Sequence, residues 1–130
     1  MDLSFWQVKL KEIAQSFKGD LVSHEKLNGV IKTECFDFRN SGANAISLAA
    51  WLGAEKIILL GYDCSIKKGF HWHGQHKKPL TNCTSIKHWP GIFEKVAKAF
   101  GHVEIINCTR ETELECFKRD KLESVLHGLN

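Results

Sequence analysis

Apolar residues follow a helical period in two parts of the first half of the chain. Over residues 4–17 they fall near one face, which predicts an amphipathic helix that ends at Gly19. Over residues 45–52 small and aliphatic residues repeat with the same period, and Gly53 follows where a helix end favours a left-handed residue. The pattern therefore predicts two helices, and the small residues of the second allow close approach to a sheet.

The pattern changes at residues 56–60, where a continuous apolar run follows a lysine. A strand covered on only one face alternates, so this run predicts a strand covered on both faces, as in a parallel α/β sheet. Residues 103–107 predict a second strand. Shorter extended segments are predicted at residues 21–24 and 30–36, on either side of the turn signal Asn28-Gly29.

The second half of the chain alternates between loop, helix and strand. Residues 64–84 are its least regular part, a helix is predicted over residues 85–100, and a final helix over residues 119–127. Two strand–loop–helix–strand units with right-handed crossovers follow from this order. We therefore expect an α/β fold, a small Rossmann-like three-layer sandwich with a mainly parallel sheet, in one domain over residues 1–130.

The composition fits a folded domain and argues against several classes of partner. Charged residues make up 25% and hydrophobic residues 43% of the chain, which is ordinary for a globular protein. A net charge of +3 with scattered basic residues does not indicate a nucleic-acid partner. No apolar run reaches the roughly 20 residues of a membrane span, so we expect no membrane partner. Five cysteines without paired spacing indicate reduced thiols in a cytosol, so we expect a cytoplasmic protein.

Candidate binding residues follow the two predicted strands of the sheet. The carboxyl ends of parallel strands meet at one edge, where α/β proteins build their sites. Asp63 follows the first strand and suits a ribose hydroxyl, the orientation of a histidine, or a simple turn cap. Asn107 and Thr109 end the second strand and suit either turn formation or the reading of a base edge. All three are expected at the same edge as residues 40–42 and the loop 64–84.

Asn40, Ser41 and Gly42 stand at the start of the second predicted helix. Free backbone N–H groups, a hydroxyl and the positive end of the helix dipole are what a phosphate or carboxylate requires. An ordinary helix cap explains the same tripeptide equally well. The chain contains neither GxGxxG nor a Walker lysine motif, so the usual dinucleotide and phosphoryl-transfer fingerprints are absent from its sequence.

The loop after Asp63 contains His71, His73 and His76 in an HxHxxH pattern. Three imidazoles can bind zinc and leave one coordination position open for catalysis. A single histidine can instead act as a general base, because its ordinary pKa of about 6.5 suits that work near neutrality. We favour the general base, since a loop interrupted by glycines is a poor frame for three fixed ligands.

Four stretches together resemble one family. They are Asn-Ser-Gly before an alanine-rich helix at 40–42, Lys-Ile-Ile-Leu-Leu-Gly-Tyr-Asp at 56–63, His-Trp-His-Gly-Gln-His at 71–76, and Ile-Ile-Asn-Cys-Thr at 105–109. They resemble phage and bacterial proteins related to the hydroxymethylpterin pyrophosphokinase (MptE-like) group. More distantly, the same order of parts is similar to the bacterial sialyltransferases of the Campylobacter type. The resemblance extends over residues 2–126.

This resemblance implies a domain that binds a nucleotide or nucleotide sugar. It also implies a possible activity, glycosyl transfer. In the sialyltransferase relatives, a loop that matches Asn40, Ser41 and Gly42 lies against a cytidine nucleotide. A histidine matched to His76, with His73 as the second choice, serves there as general base for the acceptor hydroxyl without a metal. The resemblance therefore implies no cofactor. Its phage members imply that the cytoplasm is that of a bacterial host cell.

The chain departs from these relatives in two respects. Their first strand and its Gly-rich turn have no counterpart here, and Tyr62 is the only tyrosine where the relatives clamp the phosphate with lid tyrosines. Without a counterpart of that first strand, one edge of the sheet would be uncovered. Uncovered edges tend to be paired, so we expect a homo-oligomer. The departures leave two other functions open, a non-catalytic phage protein that sequesters a host nucleotide signal and a metal-dependent hydrolase that uses the histidine loop.

Overall fold

The computed structural model describes residues 3–67, 69, 80 and 85–128 of the chain. Its helices are α1 (Leu3–Ser16), α2 (Ser41–Trp51), α3 (Trp89–Ala99, preceded by a 3-10 turn at Ile86–His88) and α4 (Leu122–His127). Its strands are β1 (Val22–Ser23), β2 (Ile31–Lys32), β3 (Lys56–Leu59), β4 (Glu104–Asn107) and β5 (Lys118–Arg119).

Every strand pair in the described residues is parallel. The larger sheet has the order β3-β4-β5, with Lys56 opposite Glu104 at one end of the first pair and Leu59 opposite Asn107 at the other. Strands β4 and β5 pair through Ile106 and Lys118 and the residues that follow them. The short strands β1 and β2 form a separate parallel pair. The predicted α/β class with mainly parallel strands is confirmed.

The larger sheet is covered on both faces. On one face Leu59 of β3 and Ile105 of β4 belong to a buried cluster with Ile46 of α2 and with Phe93 and Val96 of α3. The alternate strand residues form a second cluster on the other face, where Ile58 and Ile106 pack with Val125 and Leu122 of α4. The run at β3 is continuously apolar because both sets of its alternating side chains are covered, as the sequence predicts. The three layers are helix, sheet and helix.

The predicted start of the final helix at residue 119 is wrong. Lys118 and Arg119 form strand β5 beside β4, and α4 begins only at Leu122. Both side chains of the strand are exposed, so the segment pairs through its backbone and carries no apolar pattern that could announce a strand. The difference matters because β5 brings the residues that follow it to the carboxyl edge of the sheet.

The remaining predicted elements agree with the structure within a few residues. The extended segments at 21–24 and 30–36 contain β1 and β2, and Gly29 in the turn between them has a φ of 74°. No helix in the described part of the chain is long and apolar enough to cross a membrane.

Candidate functional site

An open cleft of about 1100 Å³ lies at the carboxyl edge of the larger sheet. Three loops supply its walls: residues 60–67 after β3, residues 108–113 after β4, and residues 119–123 around the end of β5 and the start of α4. Because the three strands are parallel, their carboxyl ends open to the same side. The cleft therefore occupies the place where the sequence predicts a site.

Hydrogen bonds from backbone N–H groups join the loop after β3 to the loop after β4. The Cys108 N–H donates to the Leu59 carbonyl at 3.0 Å, which extends the strand pairing by one step. Beyond it the Tyr62 N–H donates to Thr109 Oγ1 at 2.9 Å, and the Glu113 N–H donates to the Asp63 carbonyl at 2.9 Å. The two walls of the cleft are thus held at a fixed separation.

Asn107 and Thr112 lie at the centre of this polar network. Asn107 is fully buried; its Oδ1 accepts from the Thr109 N–H at 3.0 Å, and its Nδ2 donates to Thr112 Oγ1 at 3.3 Å. The Thr112 hydroxyl donates to the Tyr62 carbonyl and accepts from the Leu114 N–H at 3.1 Å. Buried polar groups satisfied in this way fix a single loop conformation. The structure therefore gives Asn107 and Thr109 a turn-forming role.

The structure brings some predicted site residues together and separates others. Asp63, which is exposed, and Thr109 line the cleft, whereas the buried Asn107 lies outside its lining. Asn40, Ser41 and Gly42 do not line the cleft either. That these residues bind a nucleotide stays a prediction.

The segment 40–42 has a structural role of its own at the start of α2. Asn40 is the N-cap, and its Oδ1 accepts from the Ala43 N–H at 3.0 Å. Tyr62 donates its hydroxyl hydrogen to the Gly42 carbonyl at 3.1 Å. A Cβ at Gly42 would stand 3.1 Å from Tyr62 Cε1, so only glycine fits without displacing the ring. The exposed Ser41 is the member of the three whose replacement leaves this packing untouched.

His71, His73 and His76 lie outside the described residues, so the zinc site and the general base both stay predictions. Among the residues that the structure does describe, no group of three or more histidine, cysteine, aspartate or glutamate side chains could hold a metal ion.

Four basic side chains line the cleft, and two of them are already engaged. Arg119 donates to the carbonyl oxygens of Thr109 and Arg110, and the Lys67 ammonium pairs with the Glu113 carboxylate. The side chains of Arg110 and Lys121 have no hydrogen bond or ion pair within the described part of the chain. They are the available cations of the cleft.

Our sequence reasoning missed Arg110 and Lys121. Arg110 directly follows the candidate residue Thr109, so its position just after the second predicted strand is readable from the sequence. The sequence pattern does not reveal Lys121, because it predicts a final helix that runs through this residue and gives no sign of β5. Because β5 lies beside β4, Arg110 after β4 and Lys121 after β5 lie at the same edge of the sheet.

Cys64 lies buried beside the cleft wall and has a positive φ of 50°. Burial, together with the nearby Asp63 carboxylate and Cys116, raises the pKa of its thiol to about 12 from an ordinary 9.0. Burial also raises the pKa of Tyr62. Both groups therefore retain their protons in the native state at a pH where the unfolded chain loses them.

We expect alkaline destabilisation with a contribution from Cys64. Its stabilising effect is fully present below about pH 9 and is lost as the pH rises from there toward 12, because the unfolded thiol then ionises first. Urea unfolding at pH 7, 9 and 10.5 measures this slope, and a Cys64→Ala variant should show a flatter one. An equally steep slope in that variant would contradict the assignment to Cys64.

The fold and the cleft define an α/β protein with a polar cleft at the carboxyl edge of a parallel sheet. Comparison of the chain with protein-family models, with curated proteins and with solved structures finds no match. The resemblance to MptE-like proteins and sialyltransferases therefore stays an expectation from the sequence motifs.

Proposed function

We propose that the chain binds a nucleotide or a nucleotide sugar in the cleft at the carboxyl edge of its sheet. The observation that carries this proposal is the pair of available cations, Arg110 after β4 and Lys121 after β5, on adjacent loops of one cleft. Ligands of parallel α/β sheets bind in crevices at this edge. Arginine binds phosphate with two parallel hydrogen bonds, and lysine adds a point charge.

The lining of the cleft is mixed in charge, because it also contains five carboxylates, those of Asp63, Glu111, Glu113, Asp120 and Glu123. The exposed carboxylate of Asp63 belongs to the loop after β3, which lies next to the loop of Arg110 in the strand order β3-β4-β5. A carboxylate there accepts hydrogen bonds from ribose or sugar hydroxyls, as the sequence reading of Asp63 proposes. A ligand with a phosphate at one end and hydroxyl groups at the other fits such a mixed lining better than a purely anionic one.

Replacing Arg110 or Lys121 by glutamine should weaken nucleotide binding by about 10- to 100-fold, because each removes a charge-assisted hydrogen bond worth about 1.5–3 kcal/mol. Titration calorimetry against nucleoside monophosphates, nucleoside diphosphates and their sugar conjugates measures the effect. Lys95→Gln is the matched control, since Lys95 is exposed on α3 and does not line the cleft. Equal loss in the control, or unchanged affinity in both cleft variants, would contradict the proposal.

Turnover separates the two functions that share this binding site. A glycosyltransferase would release the nucleotide from its sugar conjugate in the presence of an acceptor, with His76 taking the proton of the acceptor hydroxyl. A sequestering protein would bind the same nucleotide and release it unchanged. Product analysis after incubation with the best-binding conjugate and a panel of sugar acceptors distinguishes them.

A further inference from the structure

His24 and Cys35 meet at the carboxyl ends of the short strands β1 and β2. His24 directly follows β1, and Cys35 lies three residues beyond β2. The Cys35 Sγ atom lies 3.8 Å from the His24 Nε2 atom, which is within hydrogen-bond distance for sulfur. When Nε2 carries no proton, the thiol donates its hydrogen to it. Neither residue lines the cleft of the larger sheet, so the pair is a separate feature of the molecule.

Hydrogen bonds hold the two loops that carry this pair. The Thr33 N–H donates to the Ser23 carbonyl at 2.8 Å, which joins the end of β2 to the end of β1. Thr33 Oγ1 accepts from the Cys35 N–H at 3.1 Å, and Ser23 Oγ accepts from the Glu25 N–H at 3.1 Å. Ser23 and Thr33 are both buried. Because these buried polar groups are satisfied, the imidazole and the thiol are fixed relative to each other.

The surroundings of Cys35 differ from those of Cys64 and Cys108, two other buried cysteines in the described part of the chain. Cys64 and Cys108 belong to the two apolar clusters that cover the larger sheet, and burial raises the pKa of both thiols. Cys35 is as little exposed, at 6% against 8% for each of them, but it belongs to neither cluster. A thiol buried among apolar groups is inert, whereas a thiol beside a histidine can react as the thiolate.

We propose that Cys35 is an oxidation site for a small peroxide, with His24 as the base that activates its thiol. As the sulfur attacks one peroxide oxygen, the thiol proton passes to His24 Nε2, the O–O bond breaks and an S–O bond forms. The imidazolium then gives the proton to the leaving hydroxide. The thiol and hydrogen peroxide thereby become a sulfenic acid and water, with sulfur oxidised and the peroxide reduced.

Charge and access both fit this reaction. The exposed carboxylates of Glu34 and Asp37 interact electrostatically with His24, so they stabilise the positive charge that the imidazole carries between the two proton transfers. The low exposure of Cys35 favours an oxidant of two oxygen atoms over a bulky one. This oxidation does not depend on the proposed nucleotide site.

Treatment of the native protein with hydrogen peroxide at pH 7, in the presence of dimedone to trap sulfenic acid, tests the proposal. Mass spectrometry of the peptides gives a labelling rate for each cysteine. Cys35 should be labelled at least about 10-fold faster than Cys64 and Cys108, because the three thiols are similarly buried and Cys35 has the His24 contact. Equal labelling of the three thiols overturns the proposal.

Unfolding the wild type separates the effect of His24 from that of the local sequence. In urea at a concentration that unfolds the chain, the three labelling rates should converge, because His24 and Cys35 no longer meet. A preference for Cys35 that persists in urea comes from its neighbours in the sequence and overturns the proposal. This comparison decides the question even if a variant at His24 does not fold.

In the folded protein, His24→Gln should slow the labelling of Cys35 at least about 10-fold, because the base is lost. His127→Gln is the matched control, since His127 is exposed at the end of α4. It should leave the rate at Cys35 as in the wild type. Equal slowing in the two variants overturns the proposal, and so does an unchanged rate in a His24→Gln protein with the urea midpoint of the wild type.

Discussion

Replacement of Phe93 by alanine is expected to lower the free energy of unfolding by about 3–5 kcal/mol, which is typical for the loss of a buried aromatic ring. Phe93 is 2% exposed and lies where α3 meets the sheet. Its ring contacts Tyr62 and Phe117 edge to face, with centroids 5.8 and 6.3 Å away, and it lies under Gly42. Removing it leaves a cavity that elements from three parts of the chain would have to close.

Urea unfolding of the wild type, Phe93→Ala and Phe17→Ala measures this effect. Phe17 is the matched control because its ring is 52% exposed at the end of α1, so its loss should cost less than about 1 kcal/mol. In thermal unfolding, Phe93→Ala should melt at least about 10 °C below the wild type. Similar losses in the two variants would mean that Phe93 is not part of the main core.

The parts of the fold that could be predicted from the sequence are those with a local side-chain pattern. The apolar run at residues 56–60 predicts a strand covered on both faces, and α2, α3 and α4 provide that cover. Asn40 and Gly53 are local signals too, and they stand at the start and just past the end of α2. Each of these signals is contained within a few neighbouring residues, so it can be recognised without knowledge of the tertiary structure.

The parts that could not be predicted depend on contacts between distant residues. Strand β5 is made of two exposed basic residues and forms only because β4 offers its free edge. Thr112 attracts no notice in the sequence, yet its hydroxyl joins Tyr62, fifty positions earlier, to Asn107. The cleft could not be predicted for the same reason. Its two available cations lie on adjacent loops only because β4 and β5 pair.

The separation of Asn40–Gly42 from the cleft has a similar cause. All the predicted site residues follow strands or begin a helix at the carboxyl edge, so the sequence places them together. In the structure the Tyr62 side chain bonds to Gly42 and packs on Phe93, while its neighbours Gly61 and Asp63 line the cleft. One tyrosine therefore marks the boundary between the helix cap and the cleft.

Asn107→Leu should destabilise the protein by about 2–4 kcal/mol even without a ligand, because it leaves the buried Thr109 N–H without its acceptor and takes a donor from Thr112. Leucine keeps the branching of the asparagine side chain but is larger, so part of the loss comes from the missing hydrogen bonds and part from overpacking. Urea unfolding measures it, and Asn28→Leu in an exposed turn is the matched control, with an expected change within about 0.5 kcal/mol.

The same variant distinguishes the two roles that the sequence allows for Asn107 at the end of β4, which are turn formation and the reading of a base edge. If Asn107 forms the turn, the unliganded variant loses stability, and its nucleotide affinity falls as well because Thr109 and Arg110 no longer keep their places. If Asn107 instead reads a base edge, the unliganded variant is as stable as the wild type and only the affinity changes. Its full burial and its two hydrogen bonds within the protein lead us to expect the first result. A variant with wild-type stability and weakened binding would show that this network is dispensable to the fold.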